Sequence, residues 1–185
     1  GKLPVLFFEG EELRGAKQNR ILNTSILLRG ESEIVIPVSC TEQRRWSYIS
    51  EEFADSEVIA PRRLRGIQAR SVAFFLKFAR SYCSDQAGIW EEVNEMLRSA
   101  DIDSPTRAMR ALYKAQKAIL AEYLKAFAIV PGQNGIIVFI EGKVVGLDIV
   151  ALDSAYKKFH KKLIKSYALD TFPQKPQKGG KPALE

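Results

Sequence analysis

Apolar positions along this chain follow two rhythms, and the change from one to the other outlines the fold. Residues 4–8 (PVLFF) form an apolar run rich in strand formers. The next twelve residues, EGEELRGAKQNR from Glu9 to Arg20, carry charges, amides and two glycines with no apolar patterning, which reads as a loop. Two further strands are expected over residues 20–28 and 33–40, separated by the turn-like Arg29-Gly30-Glu31-Ser32 and therefore paired as a hairpin. In the second of them Ile34, Ile36, Val38 and Cys40 share one face by the period of two, and Pro37 points to an edge strand or a bulge.

From residue 63 the rhythm becomes helical. Residues 63–82 place Ile67, Phe74, Phe75, Phe78 and Tyr82 at mostly helical spacing, and residues 85–99 do the same with Ile89, Trp90, Val93, Met96 and Leu97. Ser104-Pro105 predicts the start of a third helix, with the serine as N-cap, that shows Met109, Leu112, Tyr113, Ile119, Leu120, Tyr123 and Phe127. PGQNG at 131–135 ends it. IIVFI and KVVGLDIV then read as a hairpin turning at Glu141-Gly142. A last helix over residues 153–169 turns Tyr156, Phe159, Leu163, Ile164 and Tyr167 inward. Strands, three central helices, a hairpin and a C-terminal helix packed on the sheet make an α+β fold rather than a doubly wound one. Residues 1–170 are expected to form a single domain. Residues 171–185, rich in Pro, Gly and Lys, are expected to be a disordered basic tail. The first strand lies so close to Gly1 that a trimmed N-terminus is expected.

Composition narrows the classes. The chain has 185 residues, 46% hydrophobic and 27% charged, as a globular domain does. No apolar run approaches the ~18 residues of a membrane span, and the first residues given lack the basic-then-apolar layout expected of a secretion signal. Two cysteines without metal-ligand spacing fit a reduced, cytoplasmic setting, and a single histidine, His160, disfavours a zinc site or histidine-based catalysis. No metal or cofactor is expected. The net charge of +6 invites anionic partners, but the tail holds three lysines against one glutamate, so part of the excess is peripheral.

Two polar clusters carry candidate chemistry. Lys17-Gln18-Asn19-Arg20 offers a dense set of donors suited to phosphate or carboxylate oxygens, and Gly10 and Gly15 on its N-terminal side allow close backbone approach. Taken alone, a solvated loop is the simpler reading. Ser39-Cys40-Thr41-Glu42-Gln43-Arg44-Arg45-Trp46 leaves a strand end, where sites commonly form. Glu42 is the candidate general base and Arg45 an anion contact. Trp46 is expected in the core, with stacking on a flat ring as the alternative. Cys40 continues an apolar face and is expected to be an inert thiol, although Arg44 or Arg45 could activate it as a nucleophile. The basic run Arg62, Arg63, Arg65 and Arg70 is read as a solvated face, and so are Lys157, Lys158, Lys161, Lys162 and Lys165 of the last helix. Packing is the expected role of His160.

Together, GEELRGAKQNR and IPVSCTEQRRW resemble the ARG and rhodanese-phosphatase-superfamily-associated protein domain family, where ARG denotes ADP-ribosylglycohydrolase. DQAGIW, SPTRA and KLIKSYALD extend the likeness over about residues 5–170. By position the resemblance points to Gly15, Lys17, Gln18, Asn19, Arg20, Cys40, Glu42, Gln43, Arg45 and Trp46. The sequence departs at Arg44, where the family usually has a small residue. The family pattern also includes more N-terminal strand. The resemblance implies a role near ADP-ribose, NAD or phosphorylated nucleotides. The expectation is therefore a small anionic, nucleotide-like ligand held between residues 15–20 and 39–46. Lys17, Arg20 and Arg45 would neutralise it, Gln18, Asn19, Gln43 and Trp46 would orient it, and Glu42, or less readily Cys40, would supply any catalysis. A protein- or RNA-binding module acting through Lys157, Lys161 and Lys165 is the alternative, and a scaffold in which the two clusters bond to each other is a third. Oligomeric state is not legible.

Overall fold

In the computed structural model, which describes residues 1–172, the polar stretch after the first strand is itself a strand. The N-terminal elements are β1 (Val5–Phe7), β2 (Glu11–Gly15), β3 (Arg20–Leu22), β4 (Ile26–Leu28), β5 (Val38–Cys40) and β6 (Phe53–Ile59). Four of them form an antiparallel sheet in the order β5-β3-β2-β6, and β1 pairs separately with β4. The loop expected over residues 9–20 is thus corrected to a loop that holds the central strand β2. That strand is charged because its buried carboxylates are paired. Glu11 accepts from Lys162 Nζ at 2.6 Å and from the Phe8 amide, while Glu12 accepts from Thr41 Oγ1 and has Arg110 Nη1 at 3.6 Å.

The expected hairpin of residues 20–28 and 33–40 survives only in part. Arg20, Ile21 and Leu22 pair with Cys40, Ser39 and Val38, but residues 26–28 leave that ladder to join β1, and residues 32–37 have no regular structure. Ile34 is accordingly exposed, although its period-two partner Cys40 is buried.

The remaining elements are α1 (Arg62–Ala79), α2 (Gln86–Ser99), α3 (Arg110–Ala115), α4 (Lys117–Ala126), β7 (Gly135–Ile140), β8 (Lys143–Ile149), α5 (Asp153–Ala168) and a short 3₁₀ turn at Leu169–Thr171. Asp85 caps α2 through bonds from the Ala87 and Gly88 amides. The helix expected from Ser104 begins only at Arg110. Ser104 instead closes a tight turn, its carbonyl accepting from Arg107 N and its Oγ from Ala108 N. The neighbouring backbone then bonds to residues 41–44, with Met109 N donating to Thr41 O and Arg44 N to Thr106 O, so those groups are not available to a helix. A break at Gln116 divides the remaining helical stretch into α3 and α4.

The buried face of α1 is Leu64, Arg65, Gln68 and Val72. The aromatic residues at helical spacing lie elsewhere on the helix: Phe74 and Phe78 are exposed and pack on each other with ring centroids 4.8 Å apart. Ile119 and Phe127 are likewise exposed. The β7–β8 hairpin matches expectation, with Glu141 and Gly142 at φ values of 50° and 76° in its turn.

Two apolar clusters hold the layers together. One gathers Ile21, Val58, Leu64, Ile89, Val93, Met109, Leu112 and Leu120 between the sheet and helices α1–α4. The other joins Ile59 to Val150, Tyr156, Phe159 and Leu163, seating α5 against β6, as expected of a C-terminal helix on the sheet. Tyr156, Phe159, Leu163, Ile164 and Tyr167 are all buried. Phe172 packs on the first cluster, so residues 171–172 belong to the fold and not to the tail. Residues 173–185, the rest of the expected tail, lie outside the described residues.

Candidate functional site

Residues 15–20 and 39–46 converge, and they do so by bonding to each other. The β3–β5 pairing sets Arg20 opposite Cys40, which brings the two loops to one end of the sheet. There Arg45 sends Nε to Glu42 Oε2 at 2.7 Å, Nη1 to the Ala16 and Ser47 carbonyls at 2.8 Å each, and Nη2 to Asn19 Oδ1 at 3.1 Å. Gln18 Nε2 donates to the Glu42 carbonyl at 2.8 Å, and the Asn19 amide donates to Glu42 Oε2 at 3.4 Å. Gln18, Asn19, Glu42 and Arg45 are all buried. A guanidinium fork supplies several donors in fixed directions, so one side chain ties both loops together. Gly15, at φ 140°, is also required, because a Cβ there would overlap the Glu52 carbonyl.

The other expected ligand residues surround this hub. Lys17 is exposed, its ammonium 5.2 Å from the Tyr48 ring centroid. Trp46, expected in the core, is 67% exposed: the Arg45 side chain fills the interior position and turns its neighbour outward. Arg20 donates to Cys40 Sγ at 3.0 Å. Burial pushes the Cys40 thiol above its ordinary pKa, and Arg20 only partly offsets this, which is the opposite of an activated nucleophile. Gln86 brackets the Cys40 backbone, accepting from its amide at 2.7 Å and donating to its carbonyl at 2.9 Å.

Gln43 faces a different direction. Its Oε1 accepts from Asn94 Nδ2 at 3.0 Å and from Arg107 Nη1 at 3.2 Å. Asn94 and Arg107 line a cleft of about 520 Å³ together with Arg44, Leu97, Arg98, Ile102, Asp103 and Ser104. Three guanidinium groups, an amide, a hydroxyl and one carboxylate thus line a single cavity, to which the loop of residues 39–46 contributes Arg44. Sequence reasoning named neither Asn94 nor Arg107 as a candidate: Asn94 sits on α2 outside any motif, and Arg107 lies within SPTRA, where it enters only as part of the resemblance. It did single out Arg44.

Three cations read as solvated, Arg65, Lys162 and Lys165, are instead structural. Arg65 is buried and grips Asp148 with both Nη atoms, at 2.9 and 3.0 Å, while Tyr167 donates to the same carboxylate at 2.6 Å. Lys162 joins Glu11 and Asp55, and Lys165 donates to the Glu57 carbonyl. His160 packs as expected, bonded to Tyr156 Oη and the Phe127 carbonyl. Among the described residues no group of three His, Cys, Asp or Glu side chains could hold a metal ion, and no helix is long and apolar enough to cross a membrane.

These features define an α+β domain with a buried polar hub and a cationic cleft beside it. The chain belongs to the ARG and Rhodanese-Phosphatase-superfamily-associated Protein domain family, whose profile matches residues 1–185. No curated protein and no solved structure matches it.

Proposed function

We propose that the protein binds a small phosphorylated, hydroxyl-bearing ligand of the ADP-ribose or nucleotide class in the cleft beside the loop of residues 39–46. One observation carries this: Arg44, Arg98 and Arg107 line one cavity together with Asn94, Ser104 and Asp103. Guanidinium forks suit phosphate oxygens, an amide and a hydroxyl add neutral donors, and a carboxylate accepts from sugar hydroxyls. In this reading Gln18, Asn19, Glu42 and Arg45 are the frame that holds the loop, not the groups that touch the ligand. Arg44, where the family usually has a small residue, becomes a principal contact. The family name, with its reference to ADP-ribosylglycohydrolase, favours an ADP-ribose-like ligand. A cytoplasmic location belongs with the same reading, since both cysteines are free thiols.

Titration calorimetry with ADP-ribose, ADP and ribose 5-phosphate tests the proposal. Each lost charged hydrogen bond should cost about 1.5–3 kcal/mol, so Arg44→Ala or Arg107→Ala should weaken binding by roughly 10- to 100-fold. Retention of affinity in both variants refutes the site. Loss of function on charge reversal at the exposed Lys157 and Lys161, with Arg44→Ala silent, would favour the RNA- or protein-binding alternative.

A further inference from the structure

A second cleft lies between β6, α3, α4 and α5, and its composition differs from the first. It has a volume of about 480 Å³ and is lined by Ser56, Glu57, Val58, Arg110, Tyr113, Lys114, Lys117, Leu120, Ala121, Leu124 and Lys165. Four cationic side chains meet one carboxylate, Glu57, over a floor of valine, leucine, alanine and tyrosine carbon. Solvated lysines spread over a helix face do not converge in this way. These come from three separate helices.

The cations differ in how far they are already engaged. Arg110 is anchored, donating to the Ser56 carbonyl at 2.8 Å with Glu12 Oε2 3.6 Å away. Lys165 donates to the Glu57 carbonyl at 2.5 Å, and burial, together with the charges of Lys162 and Arg110, pushes its ammonium below the ordinary lysine pKa. Lys114 and Lys117 are exposed and, among the described residues, make no ion pair or side-chain hydrogen bond. Behind them the Ser56 side chain lines the cleft while the residue is only 2% exposed. Its Oγ lies near the Glu12 carboxylate but makes no hydrogen bond of good geometry. A buried hydroxyl so poorly paired is costly, and a ligand oxygen arriving in the cleft would relieve that cost.

We infer that this cleft is a binding site for an organic phosphate with an apolar body. The phosphate lies against Lys114, Lys117, Arg110 and the Ser56 hydroxyl, and the apolar part lies on Val58, Leu120 and Leu124. The site is independent of the cleft proposed above and shares no lining residue with it. Its apolar floor separates it from a purely ionic patch, since hydrocarbon removed from water adds to binding.

Phenyl phosphate and inorganic phosphate are the probes, titrated into the full chain by calorimetry at low ionic strength. Phenyl phosphate should saturate one site and bind at least 10-fold more tightly than inorganic phosphate. Lys114→Ala/Lys117→Ala, both at exposed positions, should weaken it at least 10-fold without lowering the unliganded melting temperature, and Ser56→Ala should weaken it several-fold. Arg44→Ala should leave it unchanged, which separates this inference from the first cleft. Non-saturable binding, equal affinity for the two probes, or affinity retained in the lysine double variant overturns the proposal. So does a loss seen only in Arg44→Ala.

Discussion

If Glu42 and Arg45 hold the loops together, removing either should be read first in stability and only then in function. Arg45→Met deletes the guanidinium and keeps much of the volume of its aliphatic stem. It also leaves the Glu42 carboxylate with a side-chain exposure of 9% and no counter-charge. Breaking a buried pair from one side costs about 3–5 kcal/mol. For a domain of this length, where 1 kcal/mol moves the melting temperature by about 2–4 °C, that is a drop of about 6–20 °C. Glu42→Gln is milder. Arg45 keeps the Ala16 and Ser47 carbonyls and Asn19 Oδ1 as acceptors, so a cost of about 1–3 kcal/mol is expected.

The double variant Glu42→Gln/Arg45→Met leaves no unpaired charge and should be more stable than the two single costs would sum to, by about 2 kcal/mol. Urea denaturation of the four proteins closes this cycle, with equal m-values as the check that only stability has changed. A loss of less than about 1 kcal/mol in Arg45→Met, or strict additivity, refutes the structural role. Glu42→Gln without any stability loss, combined with abolished ligand turnover, would return Glu42 to the role of general base.

Other tests address single groups. Burial holds the Asp170 carboxyl at about 6, well above its ordinary 3.8, with Arg62 and Arg63 opposing the shift. A carboxyl whose folded pKa is raised binds its proton more readily in the native state, so its contribution to stability is lost as pH rises from about 4 to 6. Asp170→Asn should therefore match the parent near pH 4 and exceed it by about 2 kcal/mol at pH 7, measured by urea denaturation; equal stability at both pH values refutes this. A chromogenic disulfide reagent should titrate the exposed Cys83 in the native protein and reach Cys40 only after denaturation. Rapid native labelling of Cys83→Ser would instead show Cys40 to be accessible and reactive.

Apolar periodicity carried most of the helices and the β7–β8 hairpin into view, because those elements bury hydrocarbon on one face. It failed at β2. There Glu11 and Glu12 occupy interior positions and are matched by Lys162, Thr41 and Arg110, the cationic partners lying about a hundred or more residues away in sequence. A local window sees charge and reads solvent. Arg65 failed for the same reason, since its partner Asp148 lies on β8. Trp46 and Arg45 exchanged their expected places, the cation buried and the indole exposed, because only a guanidinium fork could satisfy the carbonyls that meet at that point.

The segments that carry the family resemblance prove to be those that bond one element to another. In DQAGIW, Asp85 caps α2 and Gln86 clamps the Cys40 backbone. In SPTRA, Ser104 closes a turn, the Thr106 carbonyl receives Arg44 N, and Arg107 reaches Gln43. In KLIKSYALD, Lys162, Lys165, Ser166 and Tyr167 bond to Glu11, Glu57, Ala60 and Asp148. A motif made of such joints specifies an architecture, and its polar residues are largely engaged before any ligand arrives. In the two proposed readings the contacts are side chains that line clefts: Arg44, Arg98 and Arg107 in one, of which Arg98 also pairs with Glu95 and Arg107 with Gln43, and Lys114 and Lys117 in the other. Of these, only Arg107 both lies in a segment that carries the resemblance and agrees with the family there, so ligand choice in this protein should vary with positions that the shared motifs leave free.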